Sequence, residues 1–489
     1  MKNDKKHKYI IAQRIRLLAS EKTKRRIKRR NKSKKQIIPP VQVPRVPRKM
    51  RRTQSTGNSF SVKRKGMPTI QKKIELAQKH MPENLKYMIE TEDSPFNLKS
   101  IRKEKYNTNG TIIIPENFSV LDNPDESYPA LRQLIAALLT ESNNRVVLDY
   151  GKCKNIELST QVLLDIILMD FVKLQTKCKS IYRQIPNLFP LIGHINLIDK
   201  KLQKLLYSVG SPANLGVQQI NFPDTVKYKL RVHNNRKYND INKQMAQKEL
   251  DTTEMADYVM ECLGKMNKKL EYKKLDDLCI VIGEILINAE EHSTTQHRFS
   301  IGYFKEENES GNHYGLFRLV ILNFGKTIYE KFKSEDCPNQ EIVTRMNSLS
   351  ESYTKKSWFK KGEFEEESLW TLYALQEGIT SISQESYKRG NGSIRFIESF
   401  FNIKGSSEAD DISRMSITSG RTRIVFNGKY GISTTTKSNG EKFKVMTFND
   451  SGNIEDKPDS ECVRYLRNYF PGTMISAKIL LNDDDIKQI

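Results

Sequence analysis

The stretch Leu278-Cys-Ile-Val-Ile-Gly-Glu-Ile-Leu-Ile-Asn-Ala-Glu-Glu-His292 decides how the second half of the chain folds. Apolar side chains recur at Leu278, Ile282, Ile285 and Ala289, the three-to-four spacing of one buried helix face. On another face Glu284, Asn288 and His292 follow at i, i+4 and i+8. A polar stripe therefore runs along an otherwise apolar helix. Burying a carboxylate and an amide is costly unless partners are supplied, and a metal ion, a phosphate or a water network can supply them. The competing reading is a helix with a solvated side, but the flanking runs are too apolar for an ordinary surface face.

Downstream the chain reads as strands. Phe299–Tyr303 alternates with period two, and Leu316–Leu322 is apolar on both faces apart from Arg318. The latter run ends at Asn323-Phe-Gly-Lys-Thr-Ile328, which sets a side-chain amide and the glycine Gly325 at a sheet edge. A helical and polar region follows from Tyr329 to Tyr387, with a helix expected at Glu367–Gln376. Lys388-Arg-Gly-Asn-Gly-Ser-Ile-Arg-Phe-Ile397 is then a basic glycine turn entering an amphipathic helix. Gly390 and Gly392 let backbone N–H groups approach an anion, the helix N-terminus adds its dipole, and Lys388 or Arg389 adds charge. Strands resume at Arg414–Thr418, Arg421–Phe426 and Lys442–Phe448. The last strand, Met474–Leu481, is introduced by Pro471-Gly-Thr473.

This order of motifs resembles the GHKL ATP-binding fold of gyrase, MutL, sensor histidine kinases and anti-sigma serine kinases. The resemblance spans roughly residues 250–485 and rests on Glu284-x-x-x-Asn288-x-x-x-His292, Asn323-x-Gly325, Arg389-Gly-x-Gly392 and Gly472-Thr473. It implies an α/β sandwich with a mixed sheet over residues 246–489, binding ATP and Mg²⁺. Asn288 would ligate the Mg²⁺, and Glu284 would be the general base for a water or hydroxyl. Asn323 and Gly325 would face the adenine. Arg389, Gly390 and Gly392 would hold the phosphates, and Thr473 would sit behind the adenine. The family's adenine box reads Asp-x-Gly-x-Gly, so Asn323 stands for the carboxylate and Thr327 for the second glycine. An amide oxygen still accepts a hydrogen bond, with the charge assistance lost, about 1 kcal/mol.

Before this region lies a shorter run of alternating strands and helices. Thr111–Pro115, Arg145–Tyr150 and His194–Leu197 read as strands. Tyr128–Thr140, Gln161–Leu174 and Asp199–Val209 read as helices, the second capped by Ser159 or Thr160. The alternation implies a small α/β domain over residues 106–215. Val146-Val-Leu-Asp-Tyr150 and Ile156-Glu-Leu-Ser-Thr160 resemble the STAS-like domains of anti-sigma-factor antagonists. That resemblance makes Ser159 the candidate phosphoacceptor, although Glu157, Leu158 and Thr160 depart from the family's Asp-Ser-Ser-Gly turn. Residues 69–105 read as a linker with one helix, Ile70–His80, and residues 216–245 as a polar, basic linker.

Composition frames these readings. Residues 1–65 carry 24 Lys and Arg against two acids, Asp4 and Glu21, a net of +22 out of +24 for the chain. Residues 1–68 thus read as a disordered basic tail, and residues 1–66 would be attracted to nucleic acid or another polyanion. The six cysteines have no ligand-like spacing, and no apolar run is long enough to span a membrane, so a cytoplasmic protein is expected. No histidine is followed by an acidic residue, which argues against self-phosphorylation on His. The sequence therefore reads as a bacterial-type regulatory ATP-binding protein acting on a protein partner, with Ser/Thr kinase or slow ATPase activity as what the resemblance implies. The alternative is a non-catalytic scaffold whose basic tail binds nucleic acid.

Overall fold

Between Thr111 and Val209 helices separate the successive strands of one sheet, and these crossovers set the strand direction. The computed structural model describes residues 70–103, 110–140, 145–182, 189–216, 220–234, 241–291, 293–309, 312–354, 363–379, 392–404, 412–436 and 442–482. The basic tail lies outside the described residues. Three helices come first: α1 (Ile70–His80), α2 (Glu83–Glu90) and α3 (Leu98–Lys103). Residues 69–105 are thus more than a linker, since Leu85, Met88, Ile89 and Phe96 are all core side chains. Next come β1 (Thr111–Ile113), β2 (Asn117–Phe118), α4 (Pro124–Thr140), β3 (Arg145–Asp149), β4 (Asn155–Ile156), α5 (Leu158–Ile181), β5 (Leu191–Ile195), α6 (Lys200–Val209) and the short α7 (Ser211–Asn214). Strands β1, β3 and β5 form a parallel sheet in that order. Parallel neighbours need a crossover, and α4 and α5 provide it.

Helix α5 starts earlier than its sequence suggests. Its N-cap residue is Glu157, not Ser159 or Thr160. The Thr160 hydroxyl oxygen instead accepts the Val120 N–H at 2.7 Å, and the Ser119 hydroxyl donates to Glu157. Both polar groups at the helix start therefore hold the β2–α4 connection. Helix α6 is capped as expected, with Asp199 accepting the Leu202 N–H at 2.9 Å.

The second half contributes β6 (Thr225–Asn234), α8 (Ile241–Lys265), α9 (Tyr272–Glu291), β7 (His297–Glu309), β8 (Asn312–Phe324), α10 (Ile328–Lys333), α11 (Gln340–Thr354), α12 (Glu366–Ala374), α13 (Gly392–Lys404), β9 (Arg414–Phe426), β10 (Ser433–Thr436), β11 (Lys442–Val445) and β12 (Val463–Asn482). Five strands join in the order β6-β7-β8-β12-β9, and every pairing is antiparallel. This corrects the expected mixed sheet. Strands β7 and β8 follow each other through a short hairpin, which needs no crossover. The 216–245 stretch is also not a linker throughout. Its Thr225–Asn234 segment is the outer strand β6, with Val226 and Tyr228 buried. Val226, Tyr228, Leu230 and Val232 alternate with Lys227, Lys229, Arg231 and His233, a period-two pattern hidden by a basic composition.

Residues 67–489 form one compact unit, and the five-stranded sheet lies at its centre with both faces covered. Phe317, Leu319 and Ile321 of β8 pack with Ala477 and Ile479 of β12 under α8, α9, α12 and α13. The intervening residues Val320, Leu322 and Phe324 face the opposite way. They join Phe299, Ile301 and Tyr303 of β7 in the core of the parallel α/β part. Toward the other end of that face the contact is ionic: Arg414 pairs with Asp122, and the Arg423 guanidinium donates to the Leu121 carbonyl at 2.6 Å. Burial pushes the nearby Glu157 carboxyl above its ordinary value. Among the described residues no helix is long and apolar enough to cross a membrane.

Candidate functional site

Helix α9 forms on its apolar stripe: Leu278, Val281, Ile282, Ile285, Leu286 and Ala289 are all buried against the sheet and α8. Glu284 and Asn288 are half-buried on another face. That face meets α13, where the Arg395 guanidinium lies 3.9 Å from Glu284 Oε1. Glu284 Oε2 is buried with no hydrogen-bond partner among the described residues. Burial pushes the Glu284 carboxyl up, and Arg395 partly offsets this. His292, the third residue of the stripe, lies outside the described residues. Glu290, by contrast, turns away from it into a buried ionic cluster. There Arg298 donates to Asp251 at 2.7 Å and lies 3.2 Å from Glu290, while His233 Nε2 is 3.2 Å and Lys248 Nζ 2.7 Å from Glu290. These groups tie α8 and α9 to β6 and β7.

At the end of the sheet three polar residues stand in a row across three strands. Asn323 of β8 is opposite Thr473 of β12, and Thr473 is opposite Ser419 of β9. Asn323 is in step with Phe317, Leu319 and Ile321, so it faces the helix layer that contains α9. It is 2% exposed, and its Nδ2 has no hydrogen-bond partner among the described residues. Thr473 Oγ1 lies 2.9 Å from Ser419 Oγ, which also accepts the Ile328 N–H at 2.9 Å.

The backbone is pinched here. The Gly325 N–H donates to the Pro471 carbonyl at 3.3 Å, and Gly472 holds φ +150°. Thr327 caps α10: its hydroxyl oxygen accepts the Glu330 N–H while Glu330 accepts the Thr327 N–H. Thr327 therefore serves this helix start as its capping box.

Two further groups of expected residues remain. Lys388, Arg389 and Gly390 lie outside the described residues, and Gly392 is the first residue of α13. Ser159 lies in the first turn of α5 at 0% exposure, so its hydroxyl is shut off from solvent.

Glu367 of α12 was not singled out in the sequence. Its Oε1 accepts the Arg421 N–H at 2.6 Å and fills the space beside Gly420, which holds φ +60° next to Ser419. Burial, aided by Glu330, pushes its carboxyl up to about 7. The visible signal was Ser419-Gly420-Arg421 inside a strand pattern, since an interior glycine marks a bulge or a close approach.

No family model matches this chain, and no curated protein or solved structure matches it either.

Proposed function

We propose that this protein binds Mg-ATP on the helix face of the antiparallel sheet and uses the bound state to regulate a protein partner. The observation that supports this best is the row Asn323–Thr473–Ser419, which faces the layer holding Glu284 and Asn288. Its buried amide has an unused donor. An amide carries a donor and an acceptor side by side, as does the amine edge of adenine, so the residues present fit that base. Thr473 would back the ring. Asn288 would be the protein's ligand to Mg²⁺, which keeps waters and takes phosphate oxygens and so needs few protein ligands. Bound Mg-ATP would supply a transferable phosphoryl group. Glu284, with one buried oxygen unpaired among the described residues, would orient a water or hydroxyl.

The regulatory half of the proposal rests on strand β8. Asn323 faces the helices, and its neighbour Phe324 packs on the parallel α/β part. A ligand that draws on Asn323 thereby acts one residue from the contact between the two halves.

Isothermal titration of the full chain with a non-hydrolysable ATP analogue and Mg²⁺ tests the binding claim. Saturable heat that falls at least tenfold in affinity in Asn323→Leu, with unchanged melting, is expected. Absence of binding heat, or equal affinity in Asn323→Leu and the parent, would sink it.

A further inference from the structure

All-parallel sheets ordinarily have both faces covered. In the sheet β1-β3-β5 one face is packed through Ile112, Val146 and Leu148, all buried. The other carries Ile113, Val147, Leu191 and Ile195, with Arg145 and Asp149 beside them; Ile113 is 50%, Leu191 65% and Ile195 40% exposed. Strand β5 is the outer strand, paired only to β3 among the described residues. Its sequence, Leu191-Ile-Gly-His-Ile195, holds no Lys, Asp, Glu or Pro, the residues that usually guard an open edge. Ile198, just beyond it, is 80% exposed.

We propose that β5 pairs antiparallel with β5 of a second copy of this chain, about a two-fold axis at Gly193. The occupant follows from the strand's own pattern. With Gly193 opposite its copy, Leu191 meets the partner's Ile195 and Ile195 meets the partner's Leu191. Ile192 meets the partner's His194 on the other face. Such self-complementarity is what a two-fold interface requires. Arg145, whose guanidinium lies over Gly193, approaches its own copy near the axis, and the solvent-exposed face lets the two long side chains splay apart. The result is a six-stranded sheet that is parallel within each copy and antiparallel across the axis. Leu191 and Ile195 of both copies then form one apolar stripe on its open face. Long-range charge does not oppose the approach of the folded parts, because residues 66–489 sum to about +2, the chain's +24 less the +22 of residues 1–65.

Sedimentation velocity of the full chain at micromolar concentration should give twice the chain mass. Leu191→Lys and Ile195→Lys, at exposed positions, should each halve that mass without changing the far-ultraviolet spectrum. Gly193→Cys adds a covalent readout at the axis. A Cβ there meets only Arg145 Nη2 at 3.6 Å and Nε at 3.8 Å, ordinary contacts with the tip of a flexible side chain. Mild oxidation should convert that variant into a disulfide-linked dimer, while Ile113→Cys, on the far edge of the sheet, should stay uncrosslinked. A monomeric parent protein would overturn the proposal. So would a dimer that survives both lysine variants, or a dimer in which position 193 does not crosslink.

Discussion

A Cβ on Gly472 would fall 2.0 Å from the Asn323 carbonyl oxygen and 2.9 Å from the Phe324 Cα. Backbone cannot give way as a side-chain tip can, and φ +150° adds strain for any other residue. Gly472→Ala should therefore cost about 2–4 kcal/mol in a urea melt. Gly264→Ala in α8, where a Cβ has nothing within 4 Å, should gain about 0.5–1 kcal/mol. Equal effects of the two substitutions would contradict the close approach at Asn323. A second residue-scale prediction concerns Glu367, whose folded carboxyl is pushed up to about 7 from an ordinary 4.5. Below pH 4.5 it is protonated folded or unfolded and costs nothing. As pH rises from 4.5 to 7 the unfolded chain ionises first, so stability is lost, and above 7 the loss is constant. Glu367→Gln keeps an oxygen for the Arg421 N–H and removes the charge. It should stabilise the protein at pH 8 by on the order of 1–2 kcal/mol, less than the full conversion because the group is part exposed, and leave it unchanged at pH 4. Melting at the two pH values distinguishes this from a plain packing effect, which would be the same at both.

At the scale of elements, α9 separates stability from binding. Glu284 meets Arg395 at 3.9 Å, and both side chains are more than a third open to solvent or close to it, at 35% and 46% exposure. Such pairs contribute little. Glu284→Gln should shift unfolding by less than about 0.5 kcal/mol, yet change the response to Mg-ATP in calorimetry. A large stability loss would make Glu284 a structural residue. Elements set by local periodicity were legible in the sequence: α1 has the expected bounds, α6 differs by one residue, and α9 and β8 were read at their cores. The row at the sheet end was half legible. Asn323, Gly325 and Thr473 could be named from their motifs, whereas Ser419 and Glu367 join them only through long-range pairing. Strand β6 is not legible because lysine and arginine fill its alternate positions through Arg231, and because the irregularity between Tyr228 and Arg231 turns Val232 outward and His233 inward. The sequence pattern of β9 splits in two at Ser419-Gly420, whereas the strand continues through that point with Gly420 at φ +60°.

At the scale of the molecule, the antiparallel sheet is a shared layer, since each of its faces belongs to a different core. Phe299, Ile301, Tyr303, Val320, Leu322, Phe324, Phe470 and Met474 are buried only because the parallel α/β part lies over them. Exposing one large apolar side chain costs about 1.5–3 kcal/mol, so a few of them rival the roughly 5–15 kcal/mol that holds a domain folded. Residues 216–489 produced alone should accordingly be insoluble or bind a hydrophobic dye strongly. Co-production with residues 67–215 should restore a soluble complex of the two pieces. The ionic end of the same face gives the prediction its specificity. Asp122 meets Arg414 and, at 3.6 Å, Arg423, which is almost fully buried. Asp122→Lys in residues 67–215 should therefore abolish the rescue, because it replaces the partner of both arginines with a third cation and leaves the buried Arg423 without its carboxylate. A soluble, dye-silent 216–489 fragment would show instead that the sheet face closes on itself, and that the parallel α/β part is an addition rather than half of the fold.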